Sequence, residues 1–148
     1  MGILRNIKNI VVHCTATPVT ATLQSIKYYW KTVRKWGDTP GYHYLIERNG
    51  TVNPLLDESK VSYGAYGHNL ESIHLAYIGG IDIQGNPLDN RNVLQMDSMY
   101  FLIEDLLKRY KLSSVCGHRD FPGVKKACPC FDVKEWFKKY IPSFPHRA

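Results

Sequence analysis

The amino-acid sequence predicts an α/β protein in which a central mixed β-sheet is flanked by helices. Short apolar runs with strand character alternate with segments whose apolar residues recur every three or four positions, in the order β-α-β-β-β-α-β-α. The chain has 148 residues, the size of one ordinary domain that buries its own core. Because no internal repeat or linker interrupts residues 1–148, we expect a single domain.

The first half of the chain is predicted to contain a strand, a helix and a hairpin. Residues 7–13 form an apolar run that is typical of a buried strand, and a loop rich in Thr, Ala and Pro follows. Residues 22–35 place apolar side chains at three- and four-residue steps, which predicts a helix. Residues 42–48 have strand character, and Asn49-Gly50 predicts a two-residue hairpin turn with positive φ at both positions.

The second half is predicted to contain strands and helices separated by longer loops. Residues 54–72 are irregular and rich in Gly, Ser and Tyr, and they are long enough to form part of a binding rim. Capping pairs mark where two helices begin, Asn92 with Gln95 and Asp132 with Glu135. The other predicted elements are a return strand from 51, a strand at 73–78, a helix at 92–110, a strand at 114–118 and a helix from 132.

Composition and charge exclude several classes of function. Apolar residues make up 44% and charged residues 22% of the chain, as in soluble globular proteins. No apolar run approaches the roughly 20 residues that span a membrane. The net charge of +6 suits attraction to a polyanion or simply solubility. Basic residues are spread out apart from Lys125-Lys126 and Lys138-Lys139, so nucleic acid is not an expected partner.

The N-terminus and the cysteines indicate a reducing site of synthesis. Residues 1–6 lack the apolar stretch of a signal peptide, and Asn6 occupies the position where myristoylation after Gly2 requires Ser or Thr. We therefore expect synthesis in the cytoplasm without a signal peptide. In such a chain free thiols are expected rather than disulfides, and Cys14 is interpreted as a buried core thiol.

Candidate metal ligands stand at predicted strand ends and in the loop that follows. His13, His118 and Cys128 could hold zinc through two imidazoles and a thiolate, which leaves one position open for a reactive water. A closed structural site made of Cys116, His118, Cys128 and Cys130 is the alternative. Its spacings are tighter than the usual two to four intervening residues, and it leaves His13 without a role.

Six short motifs together resemble one known family. They are Val-Val-His-Cys-Thr-Ala-Thr at 11–17, Gly-Tyr-His-Tyr at 41–44, Gly-Gly-Ile-Asp at 79–82, Gly-His-Arg-Asp at 117–120, Lys-Ala-Cys-Pro at 126–129 and Phe-Asp at 131–132. With these motifs the sequence resembles the zinc-dependent N-acetylmuramoyl-L-alanine amidases of phages and bacteria, which are related to the peptidoglycan recognition proteins. The resemblance covers residues 7–140 and is strongest to phage endolysin-type amidases, including small prophage-encoded ones.

The resemblance implies a function and residue roles. His13, His118 and Cys128 fall on the zinc ligands, and Tyr42 and Lys126 fall on the active-site tyrosine and lysine. The implied reaction cleaves the amide between the lactyl group of N-acetylmuramic acid and the L-alanine of peptidoglycan stem peptides. The implied enzyme is a bacteriolytic monomer that reaches the cell wall after release or non-classical export.

The sequence also departs from the family pattern at three positions. Tyr66 stands where a His is common, His74 where a Gly usually follows Ser-Ile, and Cys130 where Ser is common. These changes leave the metal set intact and fall near the expected contacts with the stem peptide. A non-catalytic peptidoglycan-binding module is the alternative function; in that branch of the family the cysteine ligand is lost, whereas Cys128 is present here.

Overall fold

The computed structural model describes residues 5–143 and contains a five-stranded mixed sheet in the order β3-β2-β4-β1-β5. β1, β2, β4 and β5 run parallel, and β3 is antiparallel to β2. The strands are β1 Asn9–Cys14, β2 Tyr44–Ile46, β3 Val52–Pro54, β4 Ser72–Tyr77 and β5 Ser114–Gly117. The predicted mixed sheet is confirmed. Residues 1–4, on which the signal-peptide and myristoylation expectations partly rest, lie outside the described residues.

Three helices flank the sheet: α1 Leu23–Thr32, α2 Val93–Arg109 and α3 Val133–Lys139. The predicted cap of α2 is confirmed, because the Asn92 side chain accepts a hydrogen bond from the Gln95 N–H at 2.9 Å. Asp132 likewise caps α3 by accepting from the Glu135 N–H at 3.2 Å. Within residues 5–143, the helices are too short or too polar to cross a membrane.

Two local predictions were wrong at their boundaries. The first helix ends at Thr32 instead of residue 35, since Lys35 adopts a positive φ of 56° and turns the chain before Gly37. The hairpin turn also differs, because only Gly50, with φ of 88°, is left-handed, whereas Asn49 is not. The Gly50 N–H donates to the Glu47 C=O at 2.9 Å, so the turn spans four residues.

The two faces of the sheet pack against different helices. Side chains that alternate along the strands meet α2 and α3 on one face and α1 on the other. Against α1 lie the buried residues Leu45 and Ala76, which pack with Ile26 and Trp30. The face toward α2 and α3 holds the larger apolar cluster, which includes Ile10, Val12, Ile73, Leu75, Met99, Ile103 and Leu106. His13 therefore points to the α1 face, near the carboxyl end of β1.

Candidate functional site

Three side chains from separate segments meet at one edge of the sheet. The potential ligand atoms of His13, His118 and Cys128 all lie within 4.8 Å of one another, and His13 Nδ1 is 3.8 Å from Cys128 Sγ. Ligands of a tetrahedral zinc ion lie about 3.3–3.6 Å apart, given the usual zinc–nitrogen and zinc–sulfur bond lengths. Small side-chain adjustments would therefore allow all three to bind one ion. Within residues 5–143, no other group of three such side chains converges in this way.

The parallel strands bring the two histidines together. β1 and β5 are neighbours, and Val12 pairs with Gly117, the residues that precede His13 and His118. Because carboxyl ends of parallel strands meet at the same edge, the next residue of each strand reaches the same point. The two imidazole centroids are 4.7 Å apart. Strand pairing thus explains how residues more than 100 positions apart in sequence form one site.

Backbone contacts hold Cys128 against this edge. The Arg119 N–H donates to the Cys128 C=O at 2.9 Å, and the Cys14 N–H donates to Cys128 Sγ at 3.3 Å. Gly117 lets the cysteine loop approach, since a Cβ there would lie 2.9 Å from Pro129 Cδ. β1 therefore contacts the sulfur directly, and β5 packs against the next residue of the cysteine loop.

The electrostatic environment favours neutral imidazoles. Burial lowers the pKa of His13 well below its ordinary value, and the charges of His74, His118 and Lys126 lower it further. Burial, with Lys126, also lowers the pKa of His118. A hydrogen bond to Cys128, with burial, raises the pKa of the Cys14 thiol, so Cys14 remains protonated beside the candidate ligand. Neutral imidazoles offer the lone pairs that a metal ion requires.

Tyr42 and Lys126 lie at the same site. The Tyr42 ring packs 5.1 Å from the His13 ring between centroids, and its hydroxyl donates to the Cys14 C=O at 3.3 Å. Burial raises the pKa of Tyr42 well above its ordinary value, so its hydroxyl remains a donor. Lys126 is exposed two residues before Cys128, lines the same surface as both histidines, and its positive charge contributes to lowering the pKa of each.

The five site residues predicted from the sequence all line one open groove of about 1040 Å³, and Cys14 lines it as well. The five are His13, Tyr42, His118, Lys126 and Cys128. Loops on both sides build its walls, and the His68 ring stacks on the Phe121 ring at 4.0 Å between centroids. Aromatic side chains form much of the surface, including Tyr29, Trp30, Trp36, Tyr63 and Tyr66. The irregular segment 54–72 contributes to this rim, as predicted.

A family model described as N-acetylmuramoyl-L-alanine amidase matches residues 4–131 of the chain. The chain is 39% identical to the endolysin of Enterobacteria phage T3 and 37% identical to that of Escherichia phage T7. Each match extends over 132 residues and covers 88% of this chain and 85% of the relative. This protein belongs to the N-acetylmuramoyl-L-alanine amidase family.

Solved structures of related proteins share the fold. The amidase LysC from Clostridium intestinale has a TM-score of 0.75 at 27% identity, over 90% of this chain and 84% of that one. The Ph2119 endolysin of a Thermus scotoductus bacteriophage has a TM-score of 0.71 at 25% identity, over 87% and 79%. The bumblebee protein PGRP-SA, at 17% identity, shows the fold alone, with a TM-score of 0.71 over 99% and 91%. The predicted amidase fold, related to peptidoglycan recognition proteins, is confirmed.

The alternative four-ligand site does not form in the described part of this amidase. Cys130 points away from the histidines, and its thiol donates to the Gly80 C=O at 3.4 Å. Cys116 is buried within β5, where it pairs with Val11 of β1. Both are free cysteines, and neither joins His118 and Cys128 in a metal-binding group.

Sequence reasoning missed one residue beside the site. His74, which departs from the amidase pattern, was assigned to the region of substrate contacts. In the structure it is buried, and its Nδ1 lies 2.9 Å from His13 Nε2. The feature of the sequence that could have identified His74 is an imidazole within an otherwise largely apolar strand. His43 is buried as well, and Tyr66 is fully exposed at the groove rim.

Proposed function

We propose that this amidase is a zinc-dependent peptidoglycan hydrolase that cleaves between the N-acetylmuramic acid lactyl group and the L-alanine of the stem peptide. The observation that carries the proposal is the convergence of His13, His118 and Cys128 beside an open groove. Relatives named endolysins support it, as does the similar LysC structure, which is named an N-acetylmuramoyl-L-alanine amidase.

The donor set fits zinc. His13 and His118 would bind through neutral imidazoles, and Cys128 would bind as a thiolate, a soft ligand that favours zinc over Mg²⁺ or Ca²⁺. Three protein ligands leave a fourth position for water, as in catalytic rather than structural zinc sites. When bound, zinc supplies the Lewis acidity that activates water and polarises the amide carbonyl.

Tyr42 and Lys126 would stabilise the negative charge that develops on the carbonyl oxygen. Water adds to the carbonyl carbon, the carbon–nitrogen bond breaks, and the L-alanine nitrogen leaves as an amine after taking a proton. Burial keeps the Tyr42 hydroxyl protonated, and its proton, which is donated to the Cys14 C=O in this structure, would turn to the developing oxyanion when substrate binds. The Lys126 ammonium adds a full positive charge at the groove edge.

The groove and the charge of the protein suit a cell-wall polymer. Aromatic side chains along the groove offer flat apolar surfaces, and the groove is open to solvent. The net charge of +6 attracts an anionic wall. We propose an endolysin-type role, in which a monomer made in the cytoplasm acts on the wall once it is released.

Digestion of purified peptidoglycan tests the function. We expect new L-alanine amino termini to appear without new reducing sugar ends, and we expect a chelator to stop the reaction and added zinc to restore it. New reducing ends without new amino termini would identify a glycosidase and overturn the proposal. Binding to peptidoglycan without any product would instead identify a recognition module.

A further inference from the structure

A line of three buried or partly buried polar side chains leads away from the candidate metal site. His13 Nε2 lies 2.9 Å from His74 Nδ1, and His74 Nε2 lies 2.9 Å from Asn69 Oδ1. His13 and His74 are both almost fully buried. The line connects a candidate ligand on β1, through β4, to the loop that precedes β4.

Asn69 determines which atoms in this line carry protons. Its Oδ1 also accepts the Ala65 backbone N–H at 2.8 Å, and a backbone N–H requires an acceptor, so this atom is the amide oxygen. His74 must then donate from Nε2, which leaves a lone pair on its Nδ1. That lone pair accepts from His13 Nε2–H, so the His13 lone pair is on Nδ1, the atom that faces Cys128 Sγ.

Strand register and a glycine make room for this arrangement. His13 pairs with Ala76 on β4, and His74 precedes Ala76 by two residues, so both imidazoles project from the same face. Gly64 lies directly against the His74 ring, since a Cβ at that position would be 2.4 Å from His74 Nδ1. A larger residue at position 64 would displace the ring from His13.

We propose that His74, supported by Asn69, is a positioning residue that holds His13 in the tautomer and orientation needed for metal binding. The inference rests on the proposed zinc site and deepens it. A hydrogen bond to the distal nitrogen of a metal-binding histidine fixes its ring and increases its basicity. Such partners are commonly carboxylates, backbone carbonyls or water. Here the partner is a second imidazole, which adds no formal charge to the site.

Zinc affinity, measured by competition with a chelator, tests the proposal. His74→Leu removes the acceptor at similar size, and we expect zinc to bind about 10–100 times more weakly. His74→Asn keeps an oxygen acceptor close to the position of Nδ1, and we expect it to recover most of the wild-type affinity. Loss of packing alone would weaken both variants without this recovery.

Gln95→Leu is the matched control. Gln95 is also fully buried and donates to the Ile78 C=O at 3.1 Å, but from α2 on the opposite face of the sheet. We expect this variant to lower the free energy of unfolding while zinc affinity stays at the wild-type level. If wild-type affinity persists in His74→Leu, or if Gln95→Leu weakens zinc equally, the positioning role is wrong.

Asn69→Asp provides an independent test should His74→Leu fail to fold. The carboxylate has only acceptors, so it imposes the same tautomers on His74 and His13 and adds negative charge. We expect zinc to bind at least as tightly as in the wild type, and weaker binding would overturn the proposal. Failure of the wild-type protein to bind zinc at all would instead overturn the proposed function.

Discussion

The two faces of the sheet differ in chemistry although the same strands build both. On the face toward α2 and α3, residues such as Val12 and Leu75 are fully buried in an apolar cluster. On the face toward α1, their neighbours His13 and His74 are equally buried but hydrogen-bonded to each other. Adjacent residues of one strand therefore point to opposite faces, one into the apolar core and the other toward the candidate metal site.

This difference separates the side chains that stabilise the fold from the side chains that build the candidate site. Burial of apolar side chains stabilises the fold by roughly 25 cal/mol per Å² removed from water. Burial of an imidazole costs free energy unless its nitrogens find partners, which explains the hydrogen-bonded line on the α1 face. We therefore expect substitutions of the histidines on the α1 face to change metal binding and catalysis, and substitutions in the apolar cluster against α2 to change stability.

Among these substitutions, His13→Ala should have the largest effect on zinc binding and activity. Removal of this ligand should abolish stoichiometric zinc binding and reduce amidase activity by about 10³-fold or more, since several kcal/mol of transition-state stabilisation depend on the metal. Metal analysis and the digestion assay measure both. Cys116→Ala and Cys130→Ala are the controls and should keep their zinc. Full zinc retention in His13→Ala would place the metal elsewhere.

Next in size are Lys126→Ala and Tyr42→Phe. Each removes one donor to the developing oxyanion, and loss of such a donor typically lowers the rate by about 10²–10³-fold. Zinc content should remain at the wild-type level, because neither side chain is a proposed ligand. Lys125→Ala, one residue away on the same exposed loop, should keep most activity. Loss of zinc in either variant would contradict the catalytic assignment.

Ile103→Ala probes the apolar face. Ile103 is fully buried in the cluster against α2, so its truncation should lower the free energy of unfolding by about 2–5 kcal/mol. Activity per folded molecule and zinc stoichiometry should not change. Chemical denaturation measures the loss, and Leu112→Ala, at an 87% exposed position, should stay within about 0.5 kcal/mol of wild type. A selective loss of zinc in Ile103→Ala would show that the two faces are coupled.

The smallest expected effect is the acid sensitivity contributed by His43. Burial lowers the pKa of His43 from 6.5 to about 4, so the folded state binds its proton less readily than the unfolded state. Its stabilising contribution is therefore present above pH 6.5 and is lost as the pH falls toward 4, by up to about 3 kcal/mol. Unfolding measured across this range should show a shallower decline in His43→Gln. An unchanged slope would contradict this contribution.

Most helices and strands could be predicted from the amino-acid sequence, and the five proposed site residues were identified there as well. Apolar periodicity located the helices and strands, and the Asn92–Gln95 pair located the start of α2. His13 and His118 were proposed as ligands from their positions at strand ends, and Cys128 from its position in the following loop; the structure brings their ligand atoms together. Such features are local, because a strand period, a cap or a motif is complete within a few residues.

Which residues support the site depends on tertiary packing and could not be predicted from the sequence. Spacing along the chain allowed two candidate sets of metal ligands, one with Cys128 alone and one that also includes Cys116 and Cys130. In the structure, Cys130 points toward Gly80 and away from the histidines. The link from His74 to His13 depends on the parallel register of β1 and β4, which joins residues 61 positions apart. Register and loop packing arise from contacts distributed over the whole chain, so no short segment of the sequence contains them.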